Sequence, residues 1–144
     1  MSNAPILRAI DAVTVPVPDL DQGLAYYRDQ LGHEVIWRND DRGQLALRLP
    51  DSSAELVLTT HHNYEANWLV NSVPQAVAAM VSSGGRVVVE ERLIPVGRLA
   101  VVADPFGNRL VLLDLSAGTY VTDQDRNVVG VVSPEVRGTE SPHT

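Results

Sequence analysis

The stretch AVTVPV (12–17) is a run of β-branched residues with the character of a strand. Beyond it the chain turns polar, interrupted by Leu20, Leu24, Tyr27 and Leu31. Spacings of four, three and four place these residues on one face of a helix. Asp19 is positioned to cap that helix with Gln22 as its capping-box partner, and Gly32 to end it in a left-handed conformation. The same pattern then recurs. Ser72 is the expected cap of a second helix, Pro74 sits in its first turn, Val73, Val77, Met80 and Val81 form its stripe, and Gly84-Gly85 ends it. Strands are predicted near 33–38, 44–49 and 55–60 after the first helix, and near 86–91, 98–103 and 108–114 after the second. In the last of these, DPFGNRLVLL (104–113) reads as a turn followed by an apolar run.

The recurrence is a candidate internal duplication. At an offset of 53, VPDLDQGLAYYRDQLGHEVI (17–36) lies on VNSVPQAVAAMVSSGGRVVV (70–89), with Tyr27 on Met80 and Gly32 on Gly85. At an offset of 54, ELVL (55–58) lies on RLVL (109–112). Two βαβββ modules, at about 8–60 and 65–116 of a domain spanning 1–116, give an α+β fold. Each sheet covers one face with its own helix, and the other faces are expected to curl around a shared cleft. Matching positions of the two modules would face one another there.

Composition narrows the chemistry. The chain has no cysteine, and all eleven of its basic residues are arginine. Thiol nucleophiles, thiolate metal sites, Schiff-base lysines and phosphate-loop lysines are thereby excluded. A formal charge of −7 argues against nucleic-acid binding, which needs a basic face. No stretch has the length of a membrane span, and the start MSNAPILRAID lacks the pattern of an export signal, so a cytoplasmic location is expected. Adjacent His61 and His62 would point to opposite sides of a strand, so they read as solvated loop residues rather than a ligand pair. His33 reads as packing at the edge of the first helix. Ser52-Ser53, Ser72 and Ser82-Ser83 lie in turn or cap contexts, without a nucleophile elbow.

The segments IDAVTVPVPDLDQGLAYYRDQLGHEVIWR (10–38), WLVNSVPQAVAAMVSSGGRVVV (68–89) and VADPFGNRLVLLDL (102–115) resemble the glyoxalase / bleomycin-resistance / extradiol-dioxygenase group, the vicinal oxygen chelate superfamily. That resemblance implies a glyoxalase/bleomycin-resistance-like fold. It also implies four strand positions that hold a divalent ion in the family's enzymes. On this chain those positions fall on Ala12, Val57, Glu65 and Val111. The repeat relates them in pairs: the offset of 53 carries Ala12 to Glu65, and that of 54 carries Val57 to Val111. Three of the four are hydrocarbon, and one carboxylate holds a cation weakly, so no metal and no other cofactor is expected.

Strand parity gives the residues expected to line the cleft: Thr14, Glu55, Glu65, Asn67, Arg109 and Val111, beside Ala12, Val57, Thr59, Leu69 and Leu113. Glu65 has two readings, a structural partner of Arg98, Arg109 or Arg48, or a ligand contact. Trp68 is expected in the core, while Trp37 fits either the core or the cleft rim. Residues 117–132 suggest a hairpin around DQDRN, and 133–144 a mobile tail. The leading functional expectation is a metal-free binder of a small, partly apolar organic ligand, sequestering an antibiotic or metabolite as a homodimer. A lyase, isomerase or dioxygenase with a displaced metal or Glu65 as general base is the alternative, and a ligand-free structural or regulatory dimer is a third reading.

Overall fold

A computed structural model describes residues 4–133. The chain forms two compact units. The N-terminal module comprises Ile10–Ala66 with Tyr120–Gly130; the C-terminal module comprises Asn67–Thr119 with the flanking residues 4–9 and 131–133.

In the N-terminal module β1 (Ala9–Pro16) leads into α1 (Leu20–Leu24), which continues as a wider π-helical turn over Ala25–Gln30. Strands β2 (Val35–Asn39), β3 (Gln44–Arg48) and β4 (Glu55–Thr59) follow. The strand order is β2-β3-β4-β1, with β4 parallel to β1 and the other pairs antiparallel. Asp19 caps α1, its carboxylate accepting from the Gln22 backbone N–H at 2.8 Å. Leu20 and Leu24 pack on Leu45, Leu47 and Leu58, with Tyr27 at the margin.

Leu31 departs from the predicted stripe and is exposed. Its N–H bonds to the Tyr26 carbonyl five residues back, the spacing of a π turn, which shifts Leu31 out of phase with the α-helical stripe. Gly32 then closes the helix with φ +87.

The C-terminal module repeats this plan. Strand β5 (Glu65–Leu69) begins in the last residues of the N-terminal unit and enters the C-terminal one at Asn67. Helix α2 (Val73–Ser82) follows, then β6 (Arg86–Ile94), β7 (Gly97–Ala103) and β8 (Arg109–Asp114). Its strand order is β6-β7-β8-β5, again with one parallel pair, β5 with β8. The duplication holds at the level of register: Thr14 pairs with Val57, and Asn67 with Val111, at the offsets read from the sequence.

Ser72 caps α2 as expected. The buried face of that helix is Val73 and Ala76, with Val77 and Met80 packed beside them against Ala100, Val102 and Leu112. Val81 is exposed, a second departure from the predicted stripe; small Ala76 takes the inward position in the turn before it. Trp68 packs against this core, as expected.

Asp114 anchors the module. Its buried carboxylate accepts from the backbone N–H of Val73 (2.8 Å), Arg98 (3.0 Å) and Ser116 (3.2 Å) and from the Ser116 hydroxyl (2.7 Å). Burial alone would raise its pKa, but these hydrogen bonds outweigh it and hold the group below the usual carboxylate value. Gly97 makes the approach possible, because a Cβ there would overlap the Asp114 backbone and carboxylate.

Strands β9 (Thr119–Thr122) and β10 (Val128–Val132) form a separate two-stranded sheet. Residues 134–144, most of the expected tail, lie outside the described residues. Among the described residues no helix is long and apolar enough to cross a membrane.

Candidate functional site

The N-terminal sheet has two dissimilar faces. One is leucine-rich and carries α1. The other presents Ala12, Ala46 and Val57, all buried, with Ile36 and Trp37 packed against them. Alternation along β1, β3 and β4 explains most of this division. On β2 it fails, because the register slips between Val35 and Trp37: Val35 pairs with Leu47, yet Trp37 pairs with the adjacent Ala46. The extra residue is a bulge that puts both Ile36 and Trp37 against the small-residue cluster.

Two groups stand over this floor. The Trp37 indole Nε1 donates to Glu55 Oε1 at 3.1 Å. The Tyr120 ring meets that of Trp37 edge to face, with centroids 4.8 Å apart. Tyr120 is brought there from the distant hairpin. The Arg38 backbone N–H donates to the Arg126 carbonyl at 2.8 Å, which seats the hairpin on β2. Trp37 therefore lines this face, and its polar edge orients a carboxylate.

Glu55 is the group with the most altered chemistry. Burial pushes its pKa up to about 7; the Trp37 hydrogen bond pulls the other way, nearby Asp11 adds to the rise, and Arg48 opposes it. Asp11 is itself raised by burial. Arg48 gives Glu55 only part of its charge, since it also pairs with Glu34 at 3.2 Å. Tyr120 is raised by burial, against hydrogen bonding to Asn39 and the charge of Arg42, with Glu55 adding to the rise. An apolar floor, an aromatic pair and a carboxylate raised toward neutrality thus meet on one face of the N-terminal sheet.

The structure divides the candidate cleft residues between the modules. Thr14, Glu55 and Glu65 belong to the N-terminal unit; Asn67, Arg109 and Val111 belong to the C-terminal one. Thr14 is buried and its hydroxyl donates to the carbonyl of Asn63 at 2.6 Å, with that of Glu65 at 3.1 Å. Glu65 is half-buried at the start of β5, Arg109 is exposed at the start of β8, and Asn67 and Val111 are buried beside each other. Of the arginines considered for Glu65, Arg48 is engaged by Glu34 and Arg98 by Glu91. Sequence reasoning missed Asp11 and Tyr120, and neither carries a local signal.

The residues present do not fit the divalent ion that the family resemblance implies. Ala12, Val57 and Val111 offer only buried hydrocarbon at three of the four positions. Among the described residues no three His, Cys, Asp or Glu side chains cluster as metal ligands. His61 is exposed, its ring 4.2 Å from that of His62, and His33 Nδ1 lies 3.0 Å from the Arg48 carbonyl oxygen. Ser52 and Ser82 make local turn and helix hydrogen bonds to residues 54 and 79.

The family model described as Glyoxalase/Bleomycin resistance protein/Dioxygenase superfamily matches residues 9–112. Comparison with curated protein sequences gives no match. Among solved structures, a methylmalonyl-CoA epimerase from Mycobacterium tuberculosis is similar at 22% identity and a TM-score of 0.63, covering 79% of this chain and 92% of its own. A Streptomyces coelicolor methylmalonyl-CoA epimerase in complex with 2-nitronate-propionyl-CoA is similar at 23% identity and a TM-score of 0.60, over 77% of this chain and 99% of its own. A methylmalonyl-CoA epimerase in complex with methylmalonyl-CoA and NH4+ gives 22% and 0.60, over 77% and 96%. Identities this low establish the fold alone.

Proposed function

The chain belongs to the Glyoxalase/Bleomycin resistance protein/Dioxygenase superfamily, and from that premise we propose that it is a metal-independent binding protein for a small, partly apolar organic molecule. The observation that carries the reading is the set of groups on one face of the N-terminal module. Glu55, held by Trp37 and flanked by Tyr120, stands over a floor of Ala12, Ala46 and Val57. An ionised Glu55 favours a ligand with a cationic or N–H-donating group beside a flat apolar body. Thr14 and Glu65 are the further ligand-contacting positions proposed on this module, and Asn67, Arg109 and Val111 those proposed on the C-terminal module taken by itself. Its sequestering role and a cytoplasmic homodimer are also part of the proposal, on the precedent of the family resemblance.

A thermal-shift screen of chelator-treated protein tests the reading, using tryptamine, phenethylamine and benzylamine with indole-3-acetate and benzoate as matched acids. Saturable stabilisation by an amine, kept in chelator, supports it. No shift from any amine overturns it.

A second reading has one specific observation in its favour. A carboxylate titrating near pH 7 is poised to accept a proton from a bound substrate, so catalysis with Glu55 as general base is the enzymatic alternative. Glu65 remains the other candidate for that role. Turnover of a bound compound, lost in Glu55→Gln but not in Glu65→Gln, would select the reading through Glu55.

A further inference from the structure

The two modules treat one matched position differently. Thr14 and Asn67 are related by the repeat offset, and each pairs with the matching valine of its own module, Val57 or Val111. Thr14 is buried and its hydroxyl is satisfied by backbone carbonyls. Asn67 is 8% exposed, and its side-chain Nδ2 is buried with no hydrogen-bond partner among the described residues.

Such a group is unusual. A buried amide donor left unmade costs free energy that an apolar side chain of the same size would not. An apolar side chain would carry no such cost, so the polar residue calls for an acceptor beyond the described residues. The surroundings restrict what that acceptor can be. Val111 lies beside Asn67 on β8 and Val101 beyond it on β7, both buried. Arg109, two residues before Val111 on β8, is exposed. The donor therefore stands in apolar surroundings, which suits an oxygen acceptor on an otherwise apolar molecule.

We propose that Asn67 anchors a ligand, its side-chain amide donating to a carbonyl or carboxylate oxygen of a small organic molecule bound on the β5–β8 face of the C-terminal module. The inference rests on the small-molecule-binding reading above and adds an acceptor oxygen to the chemistry recognised.

The test uses the full chain, benzamide and benzoate as probes, and the isosteric variant Asn67→Leu. Removing an orphaned donor should raise the melting temperature by about 2 °C or more. It should also weaken binding of an acceptor probe by roughly tenfold or more. Tighter benzoate than benzamide binding assigns a carboxylate; the reverse, or parity, assigns a carbonyl. A variant that melts lower overturns the proposal, because the amide is then satisfied within the protein or by water. Unchanged affinity overturns it, as does failure of both probes to bind the wild type. Tryptamine and Glu55→Gln separate this failure from that of the general reading: tryptamine binding that depends on Glu55 leaves small-molecule binding standing when Asn67 fails.

Discussion

Replacing Glu55 with Gln should stabilise the protein at pH 8, which reverses the usual effect of removing a charged residue. An acid whose folded pKa is raised above its unfolded value stabilises the fold only while protonated. Its contribution is complete below the unfolded pKa of 4.5 and is lost as pH rises through the folded value of about 7. The interval is about two and a half pK units, worth ~3 kcal/mol at ~1.4 kcal/mol per unit. Glutamine keeps an oxygen to accept from the Trp37 indole and carries no charge to desolvate. Glu55→Gln should therefore match the wild type near pH 4.5 and exceed it by ~2–3 kcal/mol at pH 8, or roughly 6–12 °C in melting temperature. Urea melts of both proteins at half-unit steps from pH 4.5 to 8 measure the difference directly. Subtracting the two curves cancels the shared contribution of Asp114, while the part of Asp11 that is coupled to Glu55 stays in the difference. A variant less stable at pH 8, or a difference that does not change with pH, would refute the claim that burial holds this carboxylate at a cost.

Other substitutions probe the supports of the site. Asp114→Ala should cost ~2–4 kcal/mol in chemical denaturation, since it leaves the Val73 and Arg98 backbone donors unpaired inside the C-terminal module; a loss below ~1 kcal/mol would contradict the anchoring role. Ending the chain before Ala117 should lower the melting temperature, because Tyr120 and the Arg126 carbonyl are then removed from Trp37 and Arg38, whereas ending it before Ser133 should not. Equal melting of the two truncations would show that the hairpin contributes nothing. Nickel, zinc, manganese or iron should leave the melting temperature unchanged; an ion at a hundred times its dissociation constant would add ~2.7 kcal/mol, and a chelator-reversible rise of that order would show a site rebuilt elsewhere.

What was legible in the sequence follows from the range of the forces involved. Periodicity and capping are local, so Asp19, Ser72 and Gly32 could be placed in advance, and the repeat offsets that relate Ala12 to Glu65 and Val57 to Val111 agree with the matching register of the two modules. Leu31 and Val81 could not be placed, because spacing alone does not show a π turn or an alanine that packs in place of a larger side chain. Trp37 stayed open between core and rim because the bulge after Val35 breaks the alternation used to assign faces. Glu55 was visible as a candidate, but its altered titration comes first from burial, with Asp11 adding to the rise and Trp37 opposing it, and burial by residues distant in the chain has no local signal. Tyr120 reaches the site through a hairpin whose docking no local pattern encodes.

The central claim is that Glu55 and its aromatic neighbours bind an organic ligand without a metal. A calorimetric titration of tryptamine into chelator-treated wild type and Glu55→Gln at pH 8 tests it most directly. The account predicts saturable binding to the wild type and a ten- to hundredfold loss in the variant, from a charge-assisted contact worth ~1.5–3 kcal/mol. Equal affinity for the two proteins, or binding that appears only when a divalent ion is restored, would contradict it.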